Sequence, residues 1–317
     1  MGPHLPTERW TLTQPVDITG VGLHTGESAQ IRLHPYQGGL RVRKGTSEFP
    51  VRWDYVRDTR RAVTLGNEEF TLGTVEHLLA AFWALGMTDC LIEVLQGREV
   101  PILDGSALPF IEIIEASGGT MRVALDNKKT RKASHKREDK PPGEPKQHHR
   151  QTEATPLSVH GTIPVLEPVW VQQEDRVVGV LPGNLYAFGY ISFPGTLGEQ
   201  GGYFDLRQFR EQIAPARTFG FLHEVASLQQ QGLALGGSLD NVLLITPDGY
   251  YNNARFGDEP LRHKILDVIG DLMLCGAPLS DFVLVAVKPG HALDVQLASA
   301  IAQRLPQWLA RMEAQNG

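Results

Sequence analysis

The fold is decided by two stretches that share one pattern, "TVEHLLAAFWALG" (residues 74–86) and "RHKILDVIGDLML" (residues 262–274). In both, apolar residues recur at the spacing of a helix, and a histidine stands in the first turn. Several short strands precede each stretch, and one apolar strand follows it, "CLIEVL" in the first half and "FVLVAV" in the second. We therefore expect a duplicated unit, with the two helix starts facing each other across a domain interface.

The order of strands and helices predicts an α+β fold rather than an alternating α/β fold. Each half is expected to form a two-layer domain, in which helices cover one sheet. In the first half we predict helices at residues 74–86, with Thr74 as N-cap and Gly86 at the end, and at residues 108–117. In the second half we predict helical segments at residues 204–213, 222–231 and 260–275, and a final helix from residue 291.

A basic stretch without helical or strand periodicity divides the chain near its middle. Residues 128–150 hold nine Lys and Arg residues against three acidic ones, an excess of six positive charges. The predicted units are an N-terminal domain at residues 1–123, a basic, disordered linker at 124–158, and a C-terminal domain at 159–317 with an apolar insert near 219–240. We interpret the linker as a solvated tether, and the alternative is binding to RNA or to an anionic membrane surface.

Composition limits the class of protein. The 317 residues carry a net charge of −6, so the chain without its basic stretch is at −12, which argues against a nucleic-acid binder. Cys90 and Cys275 lie in apolar runs, as expected of buried, reduced thiols in a cytoplasmic protein. The N-terminal residues have no apolar core, so we do not expect them to be a secretory signal, and no apolar run reaches the roughly 18 residues of a membrane helix. We expect a cytoplasmic protein without stable membrane insertion, although transient contact with a membrane surface is compatible with the sequence.

Polar residues that could carry chemistry stand at the starts of the two helices. His263 and Asp267 are four residues apart and share one helix face, where an imidazole and a carboxylate could bind one zinc ion. The alternative is a hydrogen bond between them on a solvated face. In the other helix, Glu76 and His77 could supply a base and a third ligand, or only a favourable charge at a helix N-terminus. The spacing differs from the HExxH zinc motif, because "LLAA" follows His77.

A third histidine, His291 in "KPGHALD", stands at the start of the final helix. Asp271 lies one turn beyond Asp267 on the same helix face, and its carboxylate could orient an imidazolium ring. The alternative is that His291 is an ordinary residue at a helix start.

Seven short motifs occur in one order and cover nearly the whole chain apart from the linker. They are "GVGLHTGE" (20–27), "TVEHLLAAFWALG" (74–86), "PILDGSALPF" (101–110), "ARTFGF" (216–221), "GLALGGSLDN" (232–241), "RHKILDVIGDL" (262–272) and "GHAL" (290–293). With these motifs the chain resembles the zinc-dependent UDP-3-O-acyl-N-acetylglucosamine deacetylases of lipid A biosynthesis, the LpxC family. The resemblance implies a monomer with two β-α-α-β sandwich domains, like the second domain of ribosomal protein S5, and an active site between them.

The resemblance also implies roles for particular residues. It places one zinc ion on His77, His263 and Asp267. The remaining catalytic roles fall on Glu76 as general base, on His291 with its partner Asp271, and on Lys264 and Thr218, which would stabilise the oxyanion. Substrate contacts are expected from Lys264 and from apolar residues that could line an acyl passage or, equally, belong to the core: Phe219, Phe221, Leu222, Leu228 and Leu233.

The implied reaction is hydrolysis of the N-acetyl group of UDP-3-O-(3-hydroxyacyl)-N-acetylglucosamine to the free amine and acetate, the committed step of lipid A biosynthesis. The partner is then a small-molecule substrate, and no nucleic acid is expected. Two other functions stay open, a zinc amidohydrolase for another acylated amino sugar and a non-catalytic binding protein. Within the reaction, either His291 or Glu76 could protonate the leaving amine, and iron could replace zinc. The chain departs from the family where Asp294 replaces a common Asn and Glu224 a common Asp.

Overall fold

The computed structural model describes residues 8–123 and 162–316, and the predicted linker at 124–158 lies outside the described residues. The strands of the first half are β1 (Trp10–Leu12), β2 (Val16–Val21), β3 (Ser28–His34), β4 (Leu40–Lys44), β5 (Ser47–Pro50), β6 (Val56–Asp58), β7 (Thr64–Gly66), β8 (Thr71–Leu72), β9 (Cys90–Gln96) and β10 (Thr120–Arg122). Its helices are α1 (Glu76–Ala84) and α2 (Leu108–Ala116).

The second half begins at residue 162. Its strands are β11 (Ile163–Pro164), β12 (Val169–Gln173), β13 (Arg176–Pro182), β14 (Tyr186–Ser192), β15 (Glu199–Asp205), β16 (Phe219–Phe221), β17 (Leu243–Thr246), β18 (Gly249–Tyr250), β19 (Leu279–Ser280) and β20 (Phe282–Val287). Its helices are α3 (Phe209–Gln212), α4 (Leu222–Gln230), α5 (Glu259–Leu272), α6 (His291–Ala302) and α7 (Leu305–Asn316).

Both halves contain a five-stranded sheet of the same topology. The strand order is β2-β3-β9-β4-β5 in the first half and β12-β13-β20-β14-β15 in the second. In each sheet one pair is parallel, β4 with β9 and β14 with β20, and the other pairs are antiparallel. The last α-helix before the second strand of this parallel pair is α1 in the first half, which precedes β9, and α5 in the second half, which precedes β20. The prediction of an α+β fold with two similar halves is therefore confirmed.

The sheets alternate buried and more exposed residues because one face of each packs on the helices. In β3, Ile31 and Leu33 point into the core, and in β20 Leu284 and Ala286 do the same. Each fully buried aliphatic or aromatic side chain contributes about 1.5–3 kcal/mol, so this alternation fixes which face of each sheet the helices cover.

The helices α1 and α5 pack against each other at the centre of the molecule, and all of α1 is buried. They approach closely at Gly270, where a Cβ atom would lie 2.1 Å from the carbonyl oxygen of Glu76. Near the end of α1, the indole N–H of Trp83 donates to the carbonyl oxygen of Leu279 at 3.0 Å. These contacts join the two halves and hold the first turn of α1 against the last turn of α5.

Each half also contains a small three-stranded sheet. In the sequence it lies between β5 and α1 in the first half, and between β15 and α5 in the second. The first small sheet has the order β6-β7-β8 and the second β16-β17-β18. The predicted apolar insert near 219–240 forms part of the second sheet, and the sheet continues to Tyr250 because β16 pairs with β17 and β17 with β18. The two repeats have thus been extended at equivalent places.

Three local predictions were wrong. Thr74 does not cap α1: its φ angle is 57°, and its hydroxyl group donates to Glu99 Oε1 at 2.8 Å instead. Residues 204 and 205 are not helical, because β15 pairs with β14 along its whole length. The final helix is interrupted at residues 303 and 304, between α6 and α7, because Pro306 in the first turn of α7 has no N–H group to donate to the carbonyl oxygen of Ala302. Gly86, with a φ angle of 61°, does follow the end of α1 as predicted.

Two predictions about composition can be compared with the described residues. None of the helices in these ranges has both the length and the apolar character needed to span a bilayer. Cys90 and Cys275 are buried and free, as predicted. Burial raises the pKa of the Cys275 thiol to about 12, so this thiol is neutral at physiological pH.

Candidate metal centre and active site

Three potential metal ligands converge where α1 meets α5. His77 is in the first turn of α1, and His263 and Asp267 lie one turn apart on α5. One ligand atom of each lies within 4.8 Å of the others, and all three side chains are buried. The Oδ1 atom of Asp267 is 3.3 Å from His263 Nε2 and 3.8 Å from His77 Nε2. The structure thus brings together, from both halves, the residues predicted as ligands.

The three donors fit a zinc ion. Donors that bind zinc tetrahedrally at about 2.0–2.2 Å are about 3.3–3.6 Å apart, close to the separations found here. Asp267 Oδ1 is buried and has no hydrogen-bond partner among the described residues. The His263 Nδ1 atom lies 3.1 Å from the carbonyl oxygen of Ala216, which can only accept. Nδ1 therefore carries the proton, and Nε2 keeps the lone pair that a metal needs.

The protonation states also suit metal binding. Burial is the main cause that lowers the pKa of His77 to about 3, and it lowers the pKa of His263 as well. Burial alone would raise the pKa of Asp267, but interactions with His263 and Lys264 outweigh it and hold that pKa below its ordinary value. Lys264 Nζ donates to Asp267 Oδ2 at 2.7 Å, which leaves Oδ1 free. Two neutral imidazoles and one carboxylate leave an open fourth position on a tetrahedral metal.

A buried ion pair anchors the segment that orients His263. Arg217 Nε donates to Glu259 Oε1 at 2.9 Å, and the backbone N–H of Arg217 donates to the same oxygen at 3.0 Å. Both side chains are buried. The pair ties the carbonyl group of Ala216 to the first turn of α5, so the hydrogen bond to His263 Nδ1 has a fixed direction.

Glu76 is buried beside the ligands at the start of α1. Its Oε2 atom accepts a hydrogen bond from the backbone N–H of Val63 at 3.1 Å. Burial is the main cause that raises the pKa of Glu76 to about 7. A carboxyl group that exchanges its proton near neutral pH is suited to act as a general base.

His291 faces Glu76 from the start of α6. Its Nε2 atom lies 3.9 Å from Glu76 Oε1, and its Nδ1 atom lies 2.8 Å from Asp271 Oδ2. Asp271 is fully buried on α5, so its carboxylate fixes the tautomer and orientation of the ring. The structure therefore places the predicted His291–Asp271 pair on the side of Glu76 away from the backbone of Val63.

A cavity of about 450 Å³ is lined by His77, His263 and Asp267 together with Glu76 and His291. The predicted residues Thr218 and Lys264 also line it. All of the residues predicted as metal ligands or catalytic groups line this cavity, except Asp271, which contacts it through His291.

The predicted apolar substrate contacts divide into two groups. Phe219 and Phe221 of β16 and Leu228 of α4 line the cavity. Leu222 is not in its lining, because it is the first residue of α4 and its side chain is 47% exposed. Leu233 lines a neighbouring pocket instead. The helical spacing of these residues could not distinguish the face of α4 that points to the cavity from the other faces.

His24, which was not among the predicted site residues, also lines the cavity. Both ring nitrogens of His24 are buried and lack a hydrogen-bond partner in the part of the chain that the structure describes. Glu99 fixes this loop by accepting the backbone N–H groups of His24 at 3.1 Å and of Thr25 at 2.7 Å. The sequence signal for a role of His24 in the site was the motif "GVGLHTGE", in which this histidine stands among glycines.

Arg61 and Phe193 are two further cavity residues that the sequence analysis missed. Arg61 pairs with Glu224 of α4 at 3.1 Å, so an ion pair crosses between the halves at the cavity wall. The ring of Phe193 packs on Phe219 and Phe221, with centroid distances of 5.6 Å and 5.5 Å. Neither residue belongs to one of the seven motifs, so no sequence pattern pointed to a role for them.

Motifs from the two halves interlock around the cavity. The backbone N–H of Leu235 donates to the carbonyl oxygen of His24 at 3.1 Å, and that of Gly236 to Leu23 at 3.0 Å. The backbone N–H of Thr218 donates to the carbonyl oxygen of Gly105 at 2.8 Å. Stretches that are far apart in the sequence thus build one site.

The chain matches the family model described as LpxC, UDP-3-O-acyl N-acetylglycosamine deacetylase, over residues 9–141 and 144–303. The chain belongs to this family. The matched ranges include the three potential ligands as well as Glu76 and His291. Membership of the LpxC family accounts for the order of the seven motifs.

Relatives named UDP-3-O-acyl-N-acetylglucosamine deacetylase cover nearly the whole chain. The protein of Leptospira biflexa serovar Patoc is 37% identical over 309 residues, 94% of this chain and 90% of its own length. The protein of Trichormus variabilis is 37% identical over 306 residues, 92% of this chain and 97% of its own. The protein of Syntrophotalea carbinolica is 33% identical over 310 residues, 94% of this chain and 89% of its own.

Proposed function

We propose that this chain hydrolyses the N-acetyl group of UDP-3-O-(3-hydroxyacyl)-N-acetylglucosamine to the free amine and acetate, the deacetylation step of lipid A biosynthesis. The observation that carries the proposal is the convergence of His77, His263 and Asp267 beside the buried Glu76. Membership of the LpxC family and the names of the relatives support the choice of substrate. A non-catalytic binding protein would have no use for a base of this kind next to a ligand set.

We propose one zinc ion per chain, held by His77, His263 and Asp267. When bound, the ion would polarise the acetamide carbonyl group and make a water molecule more acidic. The chain contributes two neutral imidazoles and one carboxylate; Ala216 holds the ring of His263, and Lys264 holds the carboxylate of Asp267. Preorganised ligands of this kind avoid the cost of rearrangement when the metal enters.

Glu76 would accept the proton of the attacking water. Its pKa of about 7 lets it be ionised for the attack and protonated afterwards. Thr218 and Lys264 line the cavity and would donate hydrogen bonds to the oxyanion that develops as the carbonyl carbon becomes tetrahedral. Removal of one such donor costs about 3–4 kcal/mol in enzymes with preorganised oxyanion sites.

His291 would protonate the leaving amine. Asp271 accepts the Nδ1 proton, so the proton available for transfer is on Nε2, the atom that faces Glu76. His291 Nε2 lies 3.9 Å from Glu76 Oε1, so the proton donor and the general base border the same part of the cavity. We therefore assign proton removal to Glu76 and proton delivery to His291.

The acyl chain would lie in the apolar part of the cavity. Phe193, Phe219 and Phe221 form a cluster of aromatic rings there, and Leu228 extends it along α4. Burying a hydrocarbon chain against such a wall contributes about 0.8 kcal/mol for each CH₂ group. Discrimination against the nucleotide sugar that lacks the acyl chain is the expected consequence.

The test compares wild type with Glu76→Gln, which keeps the size of the side chain and removes the base. We expect one zinc per chain in both proteins, and a loss of deacetylation by a factor of about 100–10,000 in the variant. Glu112→Gln on the exposed face of α2 is the control and should behave like wild type. Unchanged turnover in Glu76→Gln would refute the role of the base, and equal rates with the acylated and non-acylated nucleotide sugars would refute the choice of substrate.

A further inference from the structure

A second buried polar cluster lies behind His291, where α5 packs on α6. It consists of Asp271 from α5 and of His291 and Asp294 from α6. One polar atom of each lies within 4.8 Å of the others. The two aspartate side chains have no exposed surface, and His291 is 8% exposed. Asp294 takes no part in the chemistry described above, so its carboxyl group needs a separate explanation.

The hydrogen bonds of this cluster leave one oxygen of each aspartate unused. Asp271 Oδ2 accepts from His291 Nδ1 at 2.8 Å, and Asp294 Oδ1 accepts from the backbone N–H of Gly290 at 3.3 Å. Asp271 Oδ1 and Asp294 Oδ2 are buried, and neither has a partner among residues 8–123 and 162–316. An unpaired buried carboxylate oxygen is costly, because a charged acceptor has lost its water without replacement.

The charges around Asp294 do not offer it a counterion of its own. The groups that face it are Asp271, Asp267 and Lys264 from α5 and His291 from α6. Lys264 already donates to Asp267, and the His291 ring already donates to Asp271. Burial is the main cause that raises the pKa of Asp294 to about 7, and the neighbouring Asp271 raises it further.

A single proton between the two carboxyl groups would satisfy both unused oxygens. A cation at this place is disfavoured, because His291 Nδ1 donates its hydrogen to Asp271 and offers no lone pair. Burial raises the pKa of Asp271 as well as that of Asp294. Only Asp271, however, accepts the ring N–H of His291, and that hydrogen bond favours the ionised form, so we assign the proton to Asp294.

We propose that Asp294 is a neutral carboxylic acid that donates a hydrogen bond to the unused oxygen of Asp271 and thereby positions the Asp271–His291 pair. Two donors, His291 on one side and Asp294 on the other, then hold the Asp271 carboxylate in one rotamer. Asp294 is a positioning residue, because it acts on the reaction only through Asp271 and His291. This inference rests on the proposed function for its kinetic consequences, but the protonation state of Asp294 does not depend on any substrate.

The experiment uses the zinc-loaded full-length protein and two variants of similar size. Asp294→Asn keeps a neutral hydrogen-bond donor, and Asp294→Leu removes it. Infrared spectra of protein with ¹³C-labelled aspartate report a neutral carboxylic acid, and the label separates it from Glu76. The ¹⁵N shifts of the His291 ring report where the ring gains its proton, and zinc content and thermal unfolding show whether each variant is folded.

We expect a neutral-acid band in wild type at pH 6 that is absent from Asp294→Asn. At that pH, Asp294→Asn should lose less than threefold in kcat, and Asp294→Leu at least tenfold. As pH rises, wild-type Asp294 ionises and adds negative charge beside the imidazolium, which then keeps its proton to higher pH. Asp294→Asn lacks this charge, so the basic limb of its pH profile should move to lower pH by about one unit.

Several results would overturn the inference. They are an infrared band that is the same in wild type and Asp294→Asn, equal losses of kcat in the two variants, or a wild-type rate in Asp294→Leu. If Asp294→Leu does not fold, the band and the pH profile of Asp294→Asn still decide the question. If the band is present and wild type does not deacetylate the acylated nucleotide sugar, the proposed function fails while the neutral acid stands.

Discussion

The contact between α1 and α5 gives the sharpest prediction, because one methyl group should disturb the metal centre from outside it. In Gly270→Ala, the new Cβ atom would stand 2.1 Å from the carbonyl oxygen of Glu76. An ordinary contact between such atoms is about 3.5 Å, so the two helices must separate by about 1.4 Å or tilt. Backbone faces the new atom, so no side chain can move aside to absorb the strain.

The magnitudes determine the sign of the effect. Replacing glycine by alanine inside a helix normally stabilises it by about 1 kcal/mol. Overpacking a rigid core costs about 1–3 kcal/mol, and contact with backbone on a second helix belongs at the upper end of that range. We therefore expect a net loss of up to about 2 kcal/mol in the free energy of unfolding. The displacement also exceeds the tolerance of about 0.2 Å on metal–ligand distances several-fold, so His77 would leave the ligand set.

The assay measures zinc per chain during dialysis against graded chelator, together with deacetylation and thermal unfolding. We expect zinc affinity to fall at least 100-fold in Gly270→Ala and activity to fall with it, while the protein stays folded. Gly257→Ala is the matched control, because a Cβ atom there meets no other atom within 4 Å. A Gly270→Ala protein with wild-type zinc affinity and a raised melting temperature would refute the reasoning.

Three further predictions concern the site and the linker. His263→Ala should lose both zinc and activity, whereas His291→Ala should keep zinc and lose a factor of about 100–10,000 in kcat; zinc loss in the latter would contradict the division of roles. Glu76 must be ionised to act, and burial raises its pKa to about 7, so kcat/KM should fall as the pH is lowered. A bound cation favours the ionised carboxylate, so the midpoint of this decrease should lie at or below pH 7. Glu76→Gln should lack this acidic limb of the pH profile. Deletion of residues 128–150 should leave kcat within about twofold of wild type, and a large decrease would make these residues part of the site.

The central part of the fold could be predicted because it depends on local periodicity. The apolar residues at helical spacing in 74–86 and 262–274 specify buried helices whatever surrounds them. The same stretches carry His77, His263 and Asp267, so a shared site was one of the open interpretations, and the resemblance to the LpxC family assigned these three residues as ligands. Helical spacing alone places two ligands on one face, and the duplicated pattern brings in the third.

The failures have tertiary causes. Thr74 is a good N-cap by residue type, but its hydroxyl group donates to Glu99, which is distant in sequence. Residues 204 and 205 extend a strand because β14 is available as a partner, and pairing overrides a weak helical preference. Phe193 and Arg61 contact residues that are distant in the sequence, Phe219 and Phe221 in one case and Glu224 in the other, and no local pattern encodes such contacts.

The duplication explains why the site lies at the contact between α1 and α5. These are the corresponding helices of two repeats with the same sheet topology, and they pack against each other. One repeat alone would expose this apolar helix face, so pairing buries it and at the same time encloses the polar residues at the helix starts. The repeats have diverged in what they contribute: α1 carries Glu76 and His77, while α5 carries His263, Asp267 and Asp271. A ligand set divided in this way cannot form until the halves have packed, so binding of zinc should stabilise the contact between them against unfolding.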